Sequence, residues 1–586
     1  MNLNTKSSRG ITLIALVVSI IVLLILSGIS ISMLSGDNGI LQKAAEAKEK
    51  TDEATIREQQ QLADLADAVN GVDVSSDGYD YSTRVNAPKL KEGMIPITYE
   101  SNKWVVADKN NSNKSWYDYD NKKWANICTV DSSNASYRTA TVGTEIPVED
   151  MTTMFVWIPR YAYSINSSNN KIDVTFLVGN TNRDVDSTTY KTDYDAETEV
   201  QDGKTPMIVH PGFKIGNSEL TGIWVAKFES SGTNTDGNYV GNGTSSSNSQ
   251  QYAPDGTTYV KSIPSVTSWR YITIGESQYR CMQMSSNLAA YGWSGVNTHL
   301  MKNSEWGAVA YLCYSKFGSV PKINGCGYVV SGSHYYDMYT GMGPLSASSE
   351  SRYDATSSNL TAHKYDTENG QLASTTGNVY GVYDMCGGAW ERVSAYLDNG
   401  NGNLNTYGKS SSNSSVKYFE SGVLNNSYSS LWEGYEVSEE EKSNSIEVDG
   451  ESSNLTQGQL WNKNGASFTD TTANEKYNTA RKRLTDATYN LLAKIKGIGV
   501  NEVASSHSYY GVNSSGNYTW LINASDTSTN YGRAWDNDYV LIGHASDPFV
   551  LRGGYFSNGT NAGVLHTYLT YGGAHNITGF RAVLCP

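Results

Sequence analysis

The longest apolar stretch of the chain lies near its start, where no charged residue occurs from Ile11 to Gly36. A helix of that length can span the hydrocarbon core of a bilayer. The apolar pattern then continues at helical spacing, with Leu41, Ala44 and Ala45 on one face, as in an amphipathic helix. These positions predict one long helix over residues 11–70, of which residues 11–34 lie in a membrane.

The charges on either side of this stretch predict its orientation. Lys6 and Arg9 precede the apolar residues and Asp37 follows them. Basic residues stay on the cytoplasmic side of a membrane-spanning helix, and a cleaved secretory signal would have a shorter apolar core. The pattern therefore predicts a single-pass membrane protein whose large C-terminal part is extracellular.

Beyond the predicted helix, apolar and polar residues alternate over short distances. Residues 71–145 read as a linker followed by a small β-rich segment with hairpins such as "MIPITYESNKWVVAD", since alternation and Asn-rich turns are typical of strands. Their Trp and Tyr residues either pack one face of a small sheet or form a carbohydrate platform. This segment is either a separate unit or part of the domain that follows. Within that following domain, residues of about 399–417 and 436–500 read as insertions.

The composition agrees with a chain of many short strands and polar loops. Only 18% of its 586 residues are charged, whereas 54 are Gly and 41 are Tyr. The net charge of −15 would repel nucleic-acid phosphates, so nucleic acid is excluded as a partner. No CxxC pair supports a zinc site. Disulfides and buried free thiols both stay open for the six cysteines, which are Cys128, Cys281, Cys313, Cys326, Cys386 and Cys585.

The N-terminal leader ends in Gly10 and is followed by Ile11-Thr12-Leu13-Ile14. A basic leader ending in Gly before an apolar helix resembles the type IV pilin and pseudopilin family. The resemblance implies a prepilin leader over residues 1–10, which a prepilin peptidase removes after Gly10 before Ile11 is methylated. It also implies that the membrane is a bacterial cell membrane, and that other pilin subunits and a pilus or type II secretion-like assembly machinery are partners.

One position departs from this family. Ala15 stands where the family usually carries Glu, a carboxylate that would neutralise the terminal amine of a neighbouring subunit in a filament core. Its absence favours a minor or tip subunit over a repeating shaft subunit. A plain membrane anchor that never polymerises is the alternative.

Four separated stretches form a second pattern. "GIWVAKFE" (222–229) alternates as a strand does, and "LMKNSEWGAVAYL" (300–312) predicts the start of a helix with Asn303 or Ser304 as its cap. The other two are "NVYGVYDMCGGAWERV" (378–393) and a closing segment from Arg552 to Arg581. In this order they resemble the formylglycine-generating enzyme (sulfatase-modifying factor) family, whose fold is a variant of the C-type lectin fold. The resemblance covers about residues 146–586. It implies an α+β fold class in which a long N-terminal transmembrane, pilin-like helix precedes a loop-rich C-type-lectin-like domain.

The residues that carry this resemblance suit a structural frame. Glycines permit turns and close backbone approach, and arginine forks can bridge loop carbonyls or a carboxylate such as Glu391. Trp side chains in such segments are more often core than ligand contacts. The frame residues are Glu305, Trp306, Asn378, Gly381, Asp384, Gly387, Trp390, Glu391, Arg552, Gly553, Gly554, Gly579, Phe580 and Arg581.

The chemistry of the family's enzymes is not evident in this chain. Members that oxidise a cysteine use a copper-binding pair of cysteines between two arginine motifs, which here are Arg552-Gly553-Gly554 and Gly579-Phe580-Arg581. No cysteine lies between Arg552 and Arg581 in this chain. The eight histidines show no grouping at metal-ligand spacing. We therefore predict no catalytic residue and no cofactor. The family implies a structural calcium, for which the sequence selects no ligands, and an enzyme of this type with an unrecognised site is the alternative.

Between the arginine motifs, the pattern predicts a strand with Leu565, Thr567 and Leu569 on one face and polar residues on the other. Tyr supplies contact area at small entropic cost, and Ser and Asn supply adaptable hydrogen bonds. The scatter is similar to that of the variable proteins of diversity-generating retroelements, which randomise adenine-containing codons. The predicted ligand-binding residues are Tyr555, Phe556, Ser557, Asn558, His566, Tyr568, Thr570, Tyr571, His575 and Asn576.

Together these patterns predict a surface-displayed, pilin-like minor or tip protein. Its C-terminal domain is expected to bind an extracellular ligand, through either an invariant or a diversified surface. A filament-tip subunit that binds no ligand is the third interpretation.

Overall fold

The computed structural model describes residues 78–195, 199–233, 259–325, 327–330, 335–344, 363–437, 446–448, 451–453, 471–499, 502–515, 518–522, 531–542 and 547–586. They belong to one compact unit that begins at Val74. The predicted leader, the processing residues Gly10 and Ile11 and the helix predicted over residues 11–70 all lie outside the described residues.

The predicted fold class, with its long transmembrane helix, and the predicted single-pass location in a membrane need correction. No helix in the described part of the chain is long and apolar enough to cross a bilayer, and this part consists mostly of strands and loops. The longest helix of this part, Thr471–Lys494, is charged rather than apolar. Basic residues such as Lys482 and Arg483 recur along it, and their charge is costly to place in hydrocarbon.

Seven antiparallel strands of the described chain form the first sheet. All residues of Thr153–Pro159 and Gly222–Ala226 are buried, which explains why these strands read as continuous apolar runs. Strands on both sides of the boundary predicted at residue 145 share this sheet. In spatial order the strands are Asn297–Leu300, Ala582–Cys585, Gly222–Ala226, Thr153–Pro159, Asn126–Thr129, Ile95–Glu100 and Lys103–Val106.

The second sheet contains the three strands to which Arg552–Arg581 contributes, and we call these residues the C-terminal segment. Strand Gly563–Thr570 lies between Phe549–Gly553, to which it is antiparallel, and Tyr539–Leu541, to which it is parallel. Thr578–Phe580 runs parallel to Trp390–Asp398. The order is Glu433–Glu436, Trp390–Asp398, Phe549–Gly553, Gly563–Thr570, Tyr539–Leu541 and Gly532–Arg533, with Thr578–Phe580 beside Trp390–Asp398.

Smaller sheets and helices complete the described part of the chain. A three-stranded sheet consists of Lys171–Phe176, Tyr161–Asn166 and Ile208–Val209. Paired short strands are Tyr79–Asp80 with Val85–Asn86, Lys214–Ile215 with Ser218–Glu219, Ser231–Thr233 with Tyr259–Lys261, Gly327–Val330 with Tyr335–Met338, Phe419–Glu420 with Val423–Leu424, Ile446–Val448 with Glu451–Ser453, and Tyr509–Val512 with Tyr518–Leu521. The α-helices are Ile274–Gln283, Leu288–Tyr291, Asn303–Cys313, Glu368–Gln371, Gly402–Tyr407 and Thr471–Lys494.

Helix Asn303–Cys313 is entirely buried and belongs to the main hydrophobic core. Its first turn is fixed by two carboxylates rather than by a Ser or Asn cap. The Lys302 backbone N–H donates to Glu305 at 2.8 Å, and the Ser304 backbone N–H donates to Glu433 at 3.0 Å. Both carboxylates satisfy N–H groups that have no partner within a helix.

Candidate binding surface at the C-terminal segment

Arg581 stands where the chain passes from the second sheet to the first, between strands Thr578–Phe580 and Ala582–Cys585. Its buried guanidinium donates to both carboxylate oxygens of Glu391, at 2.9 and 2.5 Å. It also donates to the backbone oxygens of Ala226 at 2.7 Å and Tyr383 at 2.8 Å. One side chain therefore ties the end of the C-terminal segment to three other parts of the core.

The buried environment of Arg581 contains more acid than base. Asp384 and Glu229 lie beside the Glu391–Arg581 pair, and all three carboxyl groups are buried. Burial, and then the charge of Asp384, raise the pKa of Glu229 well above its usual value. Glu229 is held by the Ser268 hydroxyl at 2.5 Å and the Ala389 backbone N–H at 2.6 Å. A protonated Glu229 leaves a smaller excess of negative charge in the core.

Arg552 fixes the other end of the segment. Its guanidinium donates to the backbone oxygens of Ile498 at 2.9 Å and Val564 at 3.1 Å, and to the Asn303 side chain at 3.1 Å. No carboxylate among the described residues is hydrogen-bonded to it, and burial lowers its pKa to about 10. The buried Trp306 indole donates to the same Val564 oxygen at 2.7 Å.

The other frame residues mainly order backbone. Asn378 accepts a hydrogen bond from the Tyr380 backbone N–H at 2.9 Å, and Asp384 accepts one from the Gly341 N–H at 2.9 Å. Gly381 packs against the hydroxyl groups of residues 374–376, and Gly387 has a φ of +83°. Phe580 is fully buried, and Gly579 pairs with Glu391 in the sheet.

Between these ends the segment makes a tight turn and then a strand. Gly553 and Gly554 have φ values of +85° and +72°, which L-residues with a side chain rarely adopt. A short 3-10 helix, Phe556–Asn561, leads into strand Gly563–Thr570. A Cβ at Gly563 would lie 1.9 Å from Asp538 Oδ1, so only glycine fits where the strand begins.

The predicted ligand-binding residues differ in how accessible they are. Tyr571, at 40% exposure, and His575 are exposed. Phe556, His566 and Thr570 are buried. His566 and Thr570 belong to Gly563–Thr570, which is an interior strand of the second sheet. The half-buried residues are Tyr555, Ser557, Asn558, Tyr568 and Asn576.

An aromatic row runs beside the segment, and we define it as Tyr555, Trp390 and Tyr568. The Trp390 and Tyr568 rings are stacked with centroids 5.2 Å apart and an interplanar angle of 7°. The centroid of the Tyr555 ring lies 4.9 Å from that of the Trp390 ring. All three rings are half-buried. The row presents broad apolar area with phenol groups for hydrogen bonds, a combination enriched in binding surfaces.

His566 lies beneath this row rather than in it. Its Nδ1 is 2.8 Å from the Asn561 backbone oxygen, and its ring faces Trp390 and Tyr539. Burial lowers its pKa to about 4, so the ring is neutral at pH 7. A neutral, buried imidazole supports the row above it and is poorly placed to contact a ligand.

Two neighbouring cavities lie near the 3-10 helix. One cavity of about 660 Å³ is lined by Gly559, Thr560 and Ala562 of the segment. A second, of about 640 Å³, is lined by Trp535. The two cavities have three lining residues in common, and we call the two cavities together the groove. These shared residues are Asn170, Asp536 and Asn537.

The groove contains few groups suited to nucleophilic or redox chemistry. Cys386 lines it, but burial raises the pKa of its thiol well above the usual value, so the reactive thiolate is disfavoured. Burial likewise raises the pKa of Asp538, which accepts a hydrogen bond from the Leu565 backbone N–H at 2.8 Å. The Tyr314 hydroxyl donates to Asp536 at 2.6 Å.

One set of metal-ligating side chains comes together elsewhere in the described chain. His299, Glu305 and Cys585 are buried, with potential ligand atoms within 4.8 Å of one another. His299 Nε2 lies 3.0 Å from Glu305, and the Lys302 ammonium lies 3.6 Å from the same carboxylate. Calcium prefers oxygen ligands, so this imidazole and thiol set does not fit the calcium that the family resemblance implies.

Comparison of the chain with models of protein families and with curated proteins finds no match. The resemblances to pilins and to formylglycine-generating enzymes therefore remain predictions from the motifs.

Sequence reasoning missed two features of this region. Trp390 was interpreted as a core residue of the frame, whereas its half-buried ring forms the centre of the aromatic row. The groove combines Asn170, Tyr314 and Asp536, which are far apart in sequence. The one local signal was the Trp-Asp-Asn-Asp stretch at 535–538, an aromatic residue within a run of turn-forming residues.

Proposed function

We propose that the protein binds a ligand and that the C-terminal segment supplies the contact surface. The observation that carries the proposal is the aromatic row, in which Trp390 stacks with Tyr568 and contacts Tyr555 of the segment. Aromatic rings provide large contact area, and Ser557 and Asn558, which follow Tyr555 closely in the chain, add groups for adaptable hydrogen bonds. The motif resemblance to variable binding proteins supports the same function.

The frame explains how such a surface can be held in place. Buried Arg552 and Arg581 fix the two ends of the segment through hydrogen bonds to distant backbone groups. A contact surface whose ends are fixed loses little conformational freedom when a ligand binds, which favours affinity. Substitutions between the ends would then alter the surface without loosening its supports.

The experiment compares the full-length protein with the variant Tyr568→Ala/Tyr571→Ala. Both are screened against a printed oligosaccharide array and a random-peptide phage library. The variant is expected to lose its selected ligands by about tenfold or more, since burial of one aromatic ring contributes on the order of 1–3 kcal/mol. Tyr81→Ala is the matched control, because Tyr81 is 56% exposed and lies outside the segment.

Equal binding by the wild type and the Tyr568→Ala/Tyr571→Ala variant would contradict the proposal, as would an equal loss in Tyr81→Ala. A second assay distinguishes an enzyme of the formylglycine-generating type from a binding protein. In it, Cu(I) and a thiol peptide are added to the protein in aerated buffer, so that dissolved dioxygen is the oxidant. Copper-dependent oxidation of the peptide that disappears in Cys386→Ser would replace binding by catalysis as the function. We expect no such turnover because the Cys386 thiol is buried.

A further inference from the structure

The groove has a rim that is fixed before any ligand arrives. Asn170, Asp536 and Asn537, the residues common to both cavities, have φ values of 52°, 56° and 70°. Asn and Asp adopt this left-handed region more readily than other residues with a side chain. The rim therefore consists of turn residues with a defined backbone conformation.

The contacts that enforce this rim come from several parts of the chain. The Tyr314 hydroxyl donates to Asp536 at 2.6 Å. The Arg533 guanidinium donates to the Asn537 backbone oxygen at 2.9 Å and to the Asn561 side chain at 2.6 Å. Arg533 thus ties the rim to the C-terminal segment, and the amide and carboxylate groups of the rim are oriented in advance.

The chemistry of the lining is polar but nearly balanced in charge. The basic lining residues are Lys171, Lys322 and Arg533, and the acidic ones are Glu502, Asp536 and Asp538. Opposite charges that offset one another do not select an ionic ligand. Amide and carboxylate side chains instead offer donors and acceptors close together, which suits neighbouring hydroxyl groups because each hydroxyl both donates and accepts.

The groove also offers a flat apolar surface. Trp535 is half-buried and lies edge-on to Tyr314, with ring centroids 5.4 Å apart. A Trp ring buries large apolar area while its N–H remains available for a hydrogen bond. The C–H face of a sugar ring matches such a surface, whereas an extended peptide is usually held by a strand edge and apolar side-chain pockets.

We infer that the groove binds an uncharged, hydroxyl-rich chain, a neutral oligosaccharide, with Trp535 against a sugar face and Asp536 and Asn537 bonded to its hydroxyls. Cavities of about 660 and 640 Å³ are of the size that small ligands occupy. This inference rests on the proposed function, since residues of the C-terminal segment form one wall of the groove.

The test measures binding of short neutral oligosaccharides to the full-length protein by isothermal titration calorimetry. Acidic oligosaccharides and uncharged peptides of similar size serve as competing probes. We expect Trp535→Ala and Asp536→Asn each to weaken binding of the neutral oligosaccharides by about tenfold or more. Asp186→Asn is the matched control, because it removes an exposed carboxylate outside the groove lining and should leave binding unchanged.

The outcomes separate this inference from the proposed function. Binding that depends on Tyr568 and Tyr571 but not on Trp535 would overturn the neutral-oligosaccharide groove and leave the binding surface of the segment standing. Preference for peptides, or for acidic oligosaccharides, would overturn the ligand class. Failure of every neutral oligosaccharide to bind at millimolar concentration would overturn the inference as well. Circular dichroism of each variant identifies any loss of affinity that arises from misfolding.

Discussion

Removal of Arg581 gives the most direct test of how the C-terminal segment is held. In Arg581→Met the apolar length of the side chain is kept and the guanidinium is lost. Glu391 then keeps a buried carboxyl without its bidentate partner, and the Ala226 and Tyr383 backbone oxygens lose donors at 2.7 and 2.8 Å. Breaking a buried pair in this way costs about 3–5 kcal/mol.

The partner substitution is expected to cost less. Glu391→Gln keeps an acceptor for Arg581, and the guanidinium remains near the charge of Asp384. We therefore expect the loss from Glu391→Gln to be smaller than that from Arg581→Met. The double variant should lose less than the sum of the two single variants by about 1 kcal/mol or more, because the residues are in direct contact.

The assay is equilibrium unfolding in urea at pH 7, followed by tryptophan fluorescence and by circular dichroism. Arg84→Met is the matched control, since Arg84 pairs with Asp186 at 3.5 Å and both side chains are well exposed, at 64% and 79%. Such a surface pair contributes about 0–1 kcal/mol. If Arg581→Met were no more destabilising than Arg84→Met, the reasoning about the buried pair would be refuted.

Four further predictions follow from the same region. The pKa of His566 falls from the ordinary 6.5 to about 4 in the folded protein. The neutral ring therefore contributes its full share of the free energy of unfolding above pH 6.5, and this contribution is lost as the pH falls toward 4. Urea titrations across this range should show a loss of up to about 3 kcal/mol in the free energy of unfolding, and a smaller loss in His566→Gln. The pKa of Glu229 is raised, so its contribution to the free energy of unfolding is complete below the usual carboxyl range and is lost as the pH rises through its pKa in the folded protein. Glu229→Gln should remove this pH dependence while the protein still folds. An unchanged pH profile in the variant would contradict the raised pKa. Gly563→Ala should destabilise by about 2 kcal/mol or more because its Cβ would meet Asp538, whereas Gly402→Ala, with open space around it, should be nearly neutral in thermal melting. Sequencing of natural variants should find changes at accessible Ser557, Tyr571 and His575 more often than at buried Phe556 and His566, and equal variation at both sets would count against a variable surface.

Several elements could be predicted from local sequence because the physics that forms them is local. The apolar run at 222–229 predicted a strand, and the structure has Gly222–Ala226 in the first sheet. The helical pattern at 300–312 predicted a helix, and the structure has Asn303–Cys313. Its capping was not predictable in the same way, because the Glu433 carboxylate that bonds the Ser304 backbone N–H comes from a distant part of the chain.

The binding region shows where local reasoning ends. Alternation along Gly563–Thr570 separates two faces of the strand, but it does not say which face another element covers. His566 and Tyr568 share a face, yet His566 is buried because the rings of Trp390 and Tyr539 lie over it. The apolar start of the chain shows the opposite problem, since hydropathy predicts a membrane helix in residues that the structure does not describe.

The position of strand Ala582–Cys585 has a consequence for how the protein is made. This strand lies inside the first sheet, between Asn297–Leu300 and Gly222–Ala226, although both neighbours precede it by long stretches of chain. Neither neighbour can complete its ladder until residues 582–585 have left the ribosome. The first sheet therefore closes late, through contacts of very large sequence separation, which are slow to form. Until then its apolar strands need protection from aggregation.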